Sequence, residues 1–139
     1  MATIREEIDI RAPATHAWAA LRDIGAIHTR LAPGFVTHVE LEEGARIITF
    51  GNGLVARELI VTIDDEARRL VWSVVGGAMT HHNGAAHVLD RGAEGCRFVW
   101  IADLLPHEMG PTIGALMKEA MPIIKRTLEA SARGDAATP

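Results

Sequence analysis

Several chemistries are excluded by what this chain has little of. Cysteine occurs once in 139 residues, at Cys96, so no intramolecular disulfide can form and a disulfide-stapled secreted fold is not expected. Serine occurs only at Ser73 and Ser131, which leaves little material for a serine hydrolase. There is no Walker loop, no Gly-x-Gly-x-x-Gly at a strand-to-helix turn, no His-Glu-x-x-His and no Gly-x-Ser-x-Gly. No apolar stretch approaches the ~20 residues of a membrane span. The fourteen Lys and Arg form no basic block and the formal charge is −4, which argues against nucleic acid as the main partner. Met1 to Asp9 carries Arg5, Glu6, Glu7 and Asp9 without an apolar run. It does not read as a secretory signal, and a cytoplasmic location is expected.

What is present suits a globular chain with a real core. Apolar residues make up 48% and charged residues 23%, and the length fits one domain. Thr3 to Arg11 alternates, with Ile4, Glu6, Ile8 and Ile10 on one face, as a half-buried strand does. Pro13 opens a short helix in which Ala14, Trp18 and Leu21 keep helical spacing to about Arg22, and a second helical piece is expected over Ile24 to Arg30. From Phe35 to Leu105 the pattern is strand, cut by Gly-, Asp- and Asn-rich turns into Phe35–Leu41, Ala45–Phe50, Leu54–Ile63, Leu70–Val75, His81–Asp90 and Cys96–Leu105. Met109, Ile113, Leu116, Met117, Ala120, Met121, Ile124 and Leu128 then recur at helical steps. They predict a long amphipathic helix over His107 to Arg133, with Pro122 kinking it or dividing it in two. The order predicts a seven-stranded antiparallel sheet, two short helices after its first strand, and one long helix across its concave face with a pocket between.

That order resembles the START-type, birch-pollen-allergen-like superfamily (SRPBCC), with Pro13-Ala14 and Trp18 opening the first helix. Three stretches are similar to its bacterial polyketide cyclase/dehydrase-like branch: Arg69-Leu-Val-Trp-Ser-Val-Val, His81-His82-Asn83, and Trp100 to Pro106 with Asp103. The resemblance covers Thr3 to Ala132. It implies an α+β helix-grip fold and a ligand-binding domain over 1–133; the small, polar stretch 134–139 reads as a flexible tail. The superfamily includes aromatic polyketide cyclases, lipid carriers, hormone receptors and co-chaperones, so the site is argued from the residues.

His81, His82 and His87 share one strand. Adjacent strand residues face opposite ways, so His81 and His82 cannot chelate one ion together, and no metal or cofactor is expected. The phase His82, Gly84, Ala86, Val88 is small and apolar and is placed inward, which leaves His82 as an internal polar group with a pKa near neutrality, suited to proton transfer. If the phase is reversed, His81, Asn83 and His87 line the interior instead. Arg57 and Glu58 sit mid-strand, and one must face inward. An inward Glu58 beside His82 would make an acid–base pair; the alternative is an edge-exposed or salt-bridged charge. Phe50, Trp72, Phe98, Trp100, Met109, Ile113, Met117 and Met121 are the expected apolar contacts for a hydrophobic or aromatic small molecule. Asp103, His38, His16 and His28 are placed on outer surfaces. Val99 and Ile101, on an outer phase, hint at a homodimer face. Two functions remain open: a cyclase/dehydratase-like enzyme using a cavity histidine, and a carrier or sensor of a lipid or aromatic ligand.

Overall fold

The computed structural model describes residues 1–134; the remainder of the expected tail, 135–139, lies outside the described residues. The order is β1 (Ala2–Ile10), α1 (Ala14–Arg22), α2 (Ile27–Arg30), β2 (Val36–Glu42), β3 (Ala45–Phe50), β4 (Val55–Asp64), β5 (Arg69–Val75), β6 (His81–Asp90), β7 (Cys96–Leu105) and α3 (Gly110–Ala132). The seven strands form one antiparallel sheet in the order β1-β7-β6-β5-β4-β3-β2. This is the helix-grip arrangement.

The concave face follows the alternation of each strand. On β6, His82, Gly84, Ala86 and Val88 are buried, while His81 and Leu89 are exposed. On β7 the same face holds Phe98, Trp100, Ala102 and Leu104. Register slips between Val36 and His38 on β2 and again on β4. A bulge between Ile60 and Thr62 inserts an extra residue, so Ile60 opposes the buried Trp72 but Ile63, not Thr62, shares the phase of the buried Leu70. Simple counting along Leu54–Ile63 therefore assigns the wrong face to Thr62 and Ile63.

The long helix packs unevenly. Ala120, Met121, Ile124 and Leu128 join Trp18, Leu21, Val88 and Phe98 in one apolar core. Burial of a side chain such as Phe98 or Leu128, each 1% exposed or less, contributes about 1.5–3 kcal/mol. Polar contacts fasten the same end: Glu129 accepts from the Arg11 backbone N–H at 2.8 Å, and Lys125 donates to Glu129 at 2.7 Å and to the Asp9 carbonyl at 2.8 Å. At the other end the helix passes over β1 at Gly114, where an added Cβ would stand in ordinary contact, 3.6 Å, with the Ile4 side chain. The helix begins later than its apolar spacing suggests. His107–Met109 forms a single 3-10 turn, and Pro111 occupies the first turn of α3, where its missing N–H is not needed. It then runs through Pro122 as one element. The second short helix is confined to Ile27–Arg30. No helix among the described residues is long and apolar enough to cross a membrane.

Candidate functional site

Antiparallel register brings four residues into one row across the concave face. Arg46 on β3 lies opposite Glu58 on β4, and Glu58 lies opposite Val74 on β5. The Val74 backbone N–H donates to Nδ1 of His82 on β6 at 3.1 Å. The row is polar at both ends and apolar at Val74 between them.

Glu58 and Arg46 form a buried ion pair. Arg46 Nε donates to Glu58 Oε1 at 2.9 Å, and the two side chains are 4% and 7% exposed. Arg46 Nη1 donates to the Ile24 carbonyl at 3.3 Å, and the guanidinium carbon stands 5.8 Å from the Trp72 ring centre. Desolvation of two ions is costly, and the short bond, the carbonyl and the indole face are what offset it. Burial pushes the Glu58 carboxyl above the usual carboxylate range, while the Arg46 charge and hydrogen bond pull against that rise. The expected Glu58–His82 pair is not formed. Arg46 is Glu58's direct cross-strand neighbour, whereas His82 is two strands away, roughly 9–10 Å by strand spacing.

His82 faces inward and is 6% exposed. Burial, with His81 adding to it, pushes its pKa down to about 4, while Asp103 pulls weakly upward. The near-neutral value expected from the sequence is therefore corrected: the ring loses water and gains no anionic partner. A backbone N–H can only donate, so Nδ1 accepts, and the neutral ring carries its proton on Nε2. The Ser73 hydroxyl donates to the His82 carbonyl and holds the strand beneath. The ring is therefore uncharged and held in one orientation.

A cavity of about 290 Å³ opens above the Glu58, Val74 and His82 members of this row. It is lined by Phe50, Trp72, Trp100, Met109, Ile113 and Met117, together with Phe35, Val74, Leu116, Glu58, His82 and the Gly76–Met79 turn. Six of the eight apolar residues expected at a ligand thus meet there. Phe98 instead borders a smaller inner space of about 80 Å³ and is 1% exposed. Met121 lies in the core cluster around Trp18 and Leu21. Both belong to the half of the molecule that the helix packs closely. Trp72 and Trp100 stand 6.0 Å apart by ring centres. The Trp72 indole lies over Gly84, where a Cβ would come within 2.8 Å of the ring. Trp100 borders both spaces, and its Nε1–H is buried without a partner.

The other candidates lie elsewhere. Asp103 accepts from the Thr3 hydroxyl at 2.6 Å on the outer face. His16 Nε2 meets the Ser131 hydroxyl at 2.7 Å, and the His28 and His38 rings stand 6.4 Å apart. Of the two outer-face residues expected to form an apolar patch, Val99 is 5% exposed and Ile101 is half-buried, while Leu59 and Val61 on β4 are exposed. Arg57 points at Glu42, 3.6 Å away, at the cavity rim. A larger groove, about 740 Å³, runs between the start of α1 and the β6–β7 turn. Its Arg91 pairs with Asp9 and Glu94, and its Lys125 with Glu129. Among the described residues no cluster of three acidic, His or Cys side chains could hold a metal ion.

Arg46 is the site residue that sequence reasoning missed. Its phase contains Ile48 and Phe50, both on the inner face. That signal was available on Ala45–Phe50, where an inward arginine demands an inward acid.

A sheet curved round one helix, with a mostly apolar cavity at the helix's N-terminal half, defines a ligand-binding fold of the START and birch-pollen-allergen type. The chain belongs to the family described as polyketide cyclase / dehydrase and lipid transport, whose pattern matches residues 1–135. Its fold is similar to that of a Thermobifida fusca protein solved by solution NMR, at 26% identity over 96% of this chain and 94% of that one, TM-score 0.74. A START superfamily protein from Mycobacterium smegmatis shares 13% identity over 95% of this chain and 97% of that one, TM-score 0.71. Norcoclaurine synthase from Thalictrum flavum, solved with dopamine and hydroxybenzaldehyde, shares 18% over 99% and 89%, TM-score 0.71. No curated protein matches the sequence.

Proposed function

We propose that the chain binds a small hydrophobic or aromatic molecule between the sheet and the N-terminal half of α3, and that His82 holds it rather than moving its protons. The observation that carries this reading is the wall of the 290 Å³ cavity, apolar apart from Glu58, His82 and the rim residue Arg57. Its size is at the small end of ligand pockets, which suits a compact molecule of up to about three rings. Norcoclaurine synthase holds two aromatic molecules on the same fold.

The carrier or sensor reading is favoured over the cyclase/dehydratase reading by the state of the two titratable groups. A proton-transfer catalyst works best with a pKa near the operating pH. His82 lies at about 4, and Glu58 is engaged by Arg46. The test is titration with N-phenyl-1-naphthylamine, an uncharged probe that brightens in apolar surroundings. The wild type should bind it, Ile113→Trp should lose it, and His82→Asn should bind within about threefold of wild type. Absence of binding, or binding indifferent to Ile113→Trp, would overturn the cavity assignment. Turnover of an enolisable aromatic ketone that disappears in His82→Asn would restore the enzyme reading.

A further inference from the structure

Every charge facing the cavity is already answered within the protein. Glu58 is paired with Arg46 at 2.9 Å, and Arg46, which borders the smaller inner space and not this cavity's wall, also donates to the Ile24 carbonyl. Arg57, at the rim, faces Glu42. His82 accepts a backbone N–H on Nδ1, which an imidazolium could not do, so the ring is uncharged. What remains open to a guest is uncharged on balance. Among the described residues nothing hydrogen-bonds His82 Nε2 or the second carboxylate oxygen of Glu58. The Trp100 Nε1–H, on the shared wall of the two spaces, has no partner either.

Resting on the binding role proposed above, the geometry points to a charge filter: the cavity selects an uncharged molecule bearing a hydroxyl or carbonyl oxygen and rejects carboxylates and amines of the same shape. A carboxylate entering this space would be desolvated with no free cation to meet it, because Arg46 is committed. An ammonium would meet Glu58 only by competing with a guanidinium already bonded to it, and would leave one net positive charge in an apolar cavity. A hydroxyl or carbonyl oxygen instead accepts from the His82 Nε2–H, or a hydroxyl placed at the other end of the cavity donates to Glu58. Glu58 and Arg46 therefore determine specificity together: the acid cancels the base, and the pair leaves only weak, uncharged hydrogen bonding on offer.

The filter is tested by displacing N-phenyl-1-naphthylamine from the full chain at pH 7 with three ligands of one shape: 2-naphthol, 2-naphthoate and 2-naphthylmethylammonium. The naphthol should compete at least about tenfold better than either ion. Either ion matching it, or all three failing while the reporter binds, would overturn the filter and leave the cavity assignment standing. Failure of the reporter itself would remove the binding role and the filter with it. Glu58→Gln supplies a second arm by freeing the Arg46 charge. The naphthoate should gain at least about tenfold and overtake the naphthol, and an unchanged ranking in a folded variant would overturn the inference. Should that variant not fold, the wild-type ranking decides alone.

Discussion

At the scale of single residues, the two inward polar groups couple the site to stability in different ways. His82 has a folded-state pKa of about 4 against an ordinary value of 6.5. The unfolded chain therefore binds the proton first as pH falls. The stability this neutral ring supplies is fully present above pH 6.5 and is lost as the pH drops toward 4. A wholly dry ring would give a loss of about 3 kcal/mol; this ring borders a cavity that water can enter, so the loss is on the order of 2 kcal/mol. Denaturant midpoints measured from pH 7 to pH 4 should show that slope in the wild type. His82→Asn keeps an acceptor for the Val74 N–H and should flatten it; an equal slope in both would mean that other groups cause it. Arg46 acts by a different route. Arg46→Ala strands the Glu58 carboxylate at 7% exposure and should destabilise by about 3–5 kcal/mol. Replacing both partners, as Arg46→Met with Glu58→Leu, removes the stranded charge and should recover most of that loss. A double variant no more stable than Arg46→Ala would show that the ion pair contributes more than its own desolvation takes away.

At the scale of elements, close contacts between strands decide how the aromatic wall is built. Gly84 on β6 leaves room for the Trp72 indole, which would stand 2.8 Å from an added Cβ. Gly84→Ala forces that ring off its position and toward Trp100. The cost should be about 1–3 kcal/mol of overpacking. Because the chain has no tyrosine, its intrinsic fluorescence comes from tryptophan, and a shifted emission should accompany the loss. An unshifted spectrum with full stability would mean that the indole does not rest on Gly84. This element also shows what was legible beforehand. Small residues favoured the inward phase of His81–Asp90 seen in the structure but left the reverse phase open, and the Trp72 indole resting on Gly84 is the contact that decides it. The inward face of Glu58 was one of two alternatives, and alternation on the neighbouring β3 would have decided it through Arg46. The phase after Ile60 was not legible, since a bulge leaves no periodic signature. Nor was the division of the Met-rich helix. Met117 and Met121 occupy equivalent helical spacing, yet the first reaches the cavity and the second meets the core around α1. That difference is set by where α1 ends along α3, a tertiary fact that periodicity does not contain.

At the scale of the whole molecule, one end of the grip is closely packed around a small inner space of about 80 Å³ and the other is more open, at about 290 Å³. The C-terminal half of α3 closes on Trp18, Leu21, Val88 and Phe98 and is fastened through Lys125 and Glu129. The N-terminal half stands off the sheet above the Glu58, Val74 and His82 members of the row. An unfilled apolar space forgoes the dispersion contacts that packed neighbours would supply, so the more open end is held at a cost in stability. Val74 is the place to test this, because it is the one apolar member of the row, half-buried on the cavity floor. Val74→Phe puts a ring into the 290 Å³ space while keeping both members of the ion pair. If the space exists to receive a guest, this variant should melt at or above the wild-type temperature and should fail to bind N-phenyl-1-naphthylamine. The wild type alone should then show a melting temperature that rises with probe concentration, because a ligand that binds only the folded state stabilises it by mass action. A Val74→Phe protein that melts lower and still binds the probe would mean that the floor of the cavity is already packed and that the guest enters elsewhere.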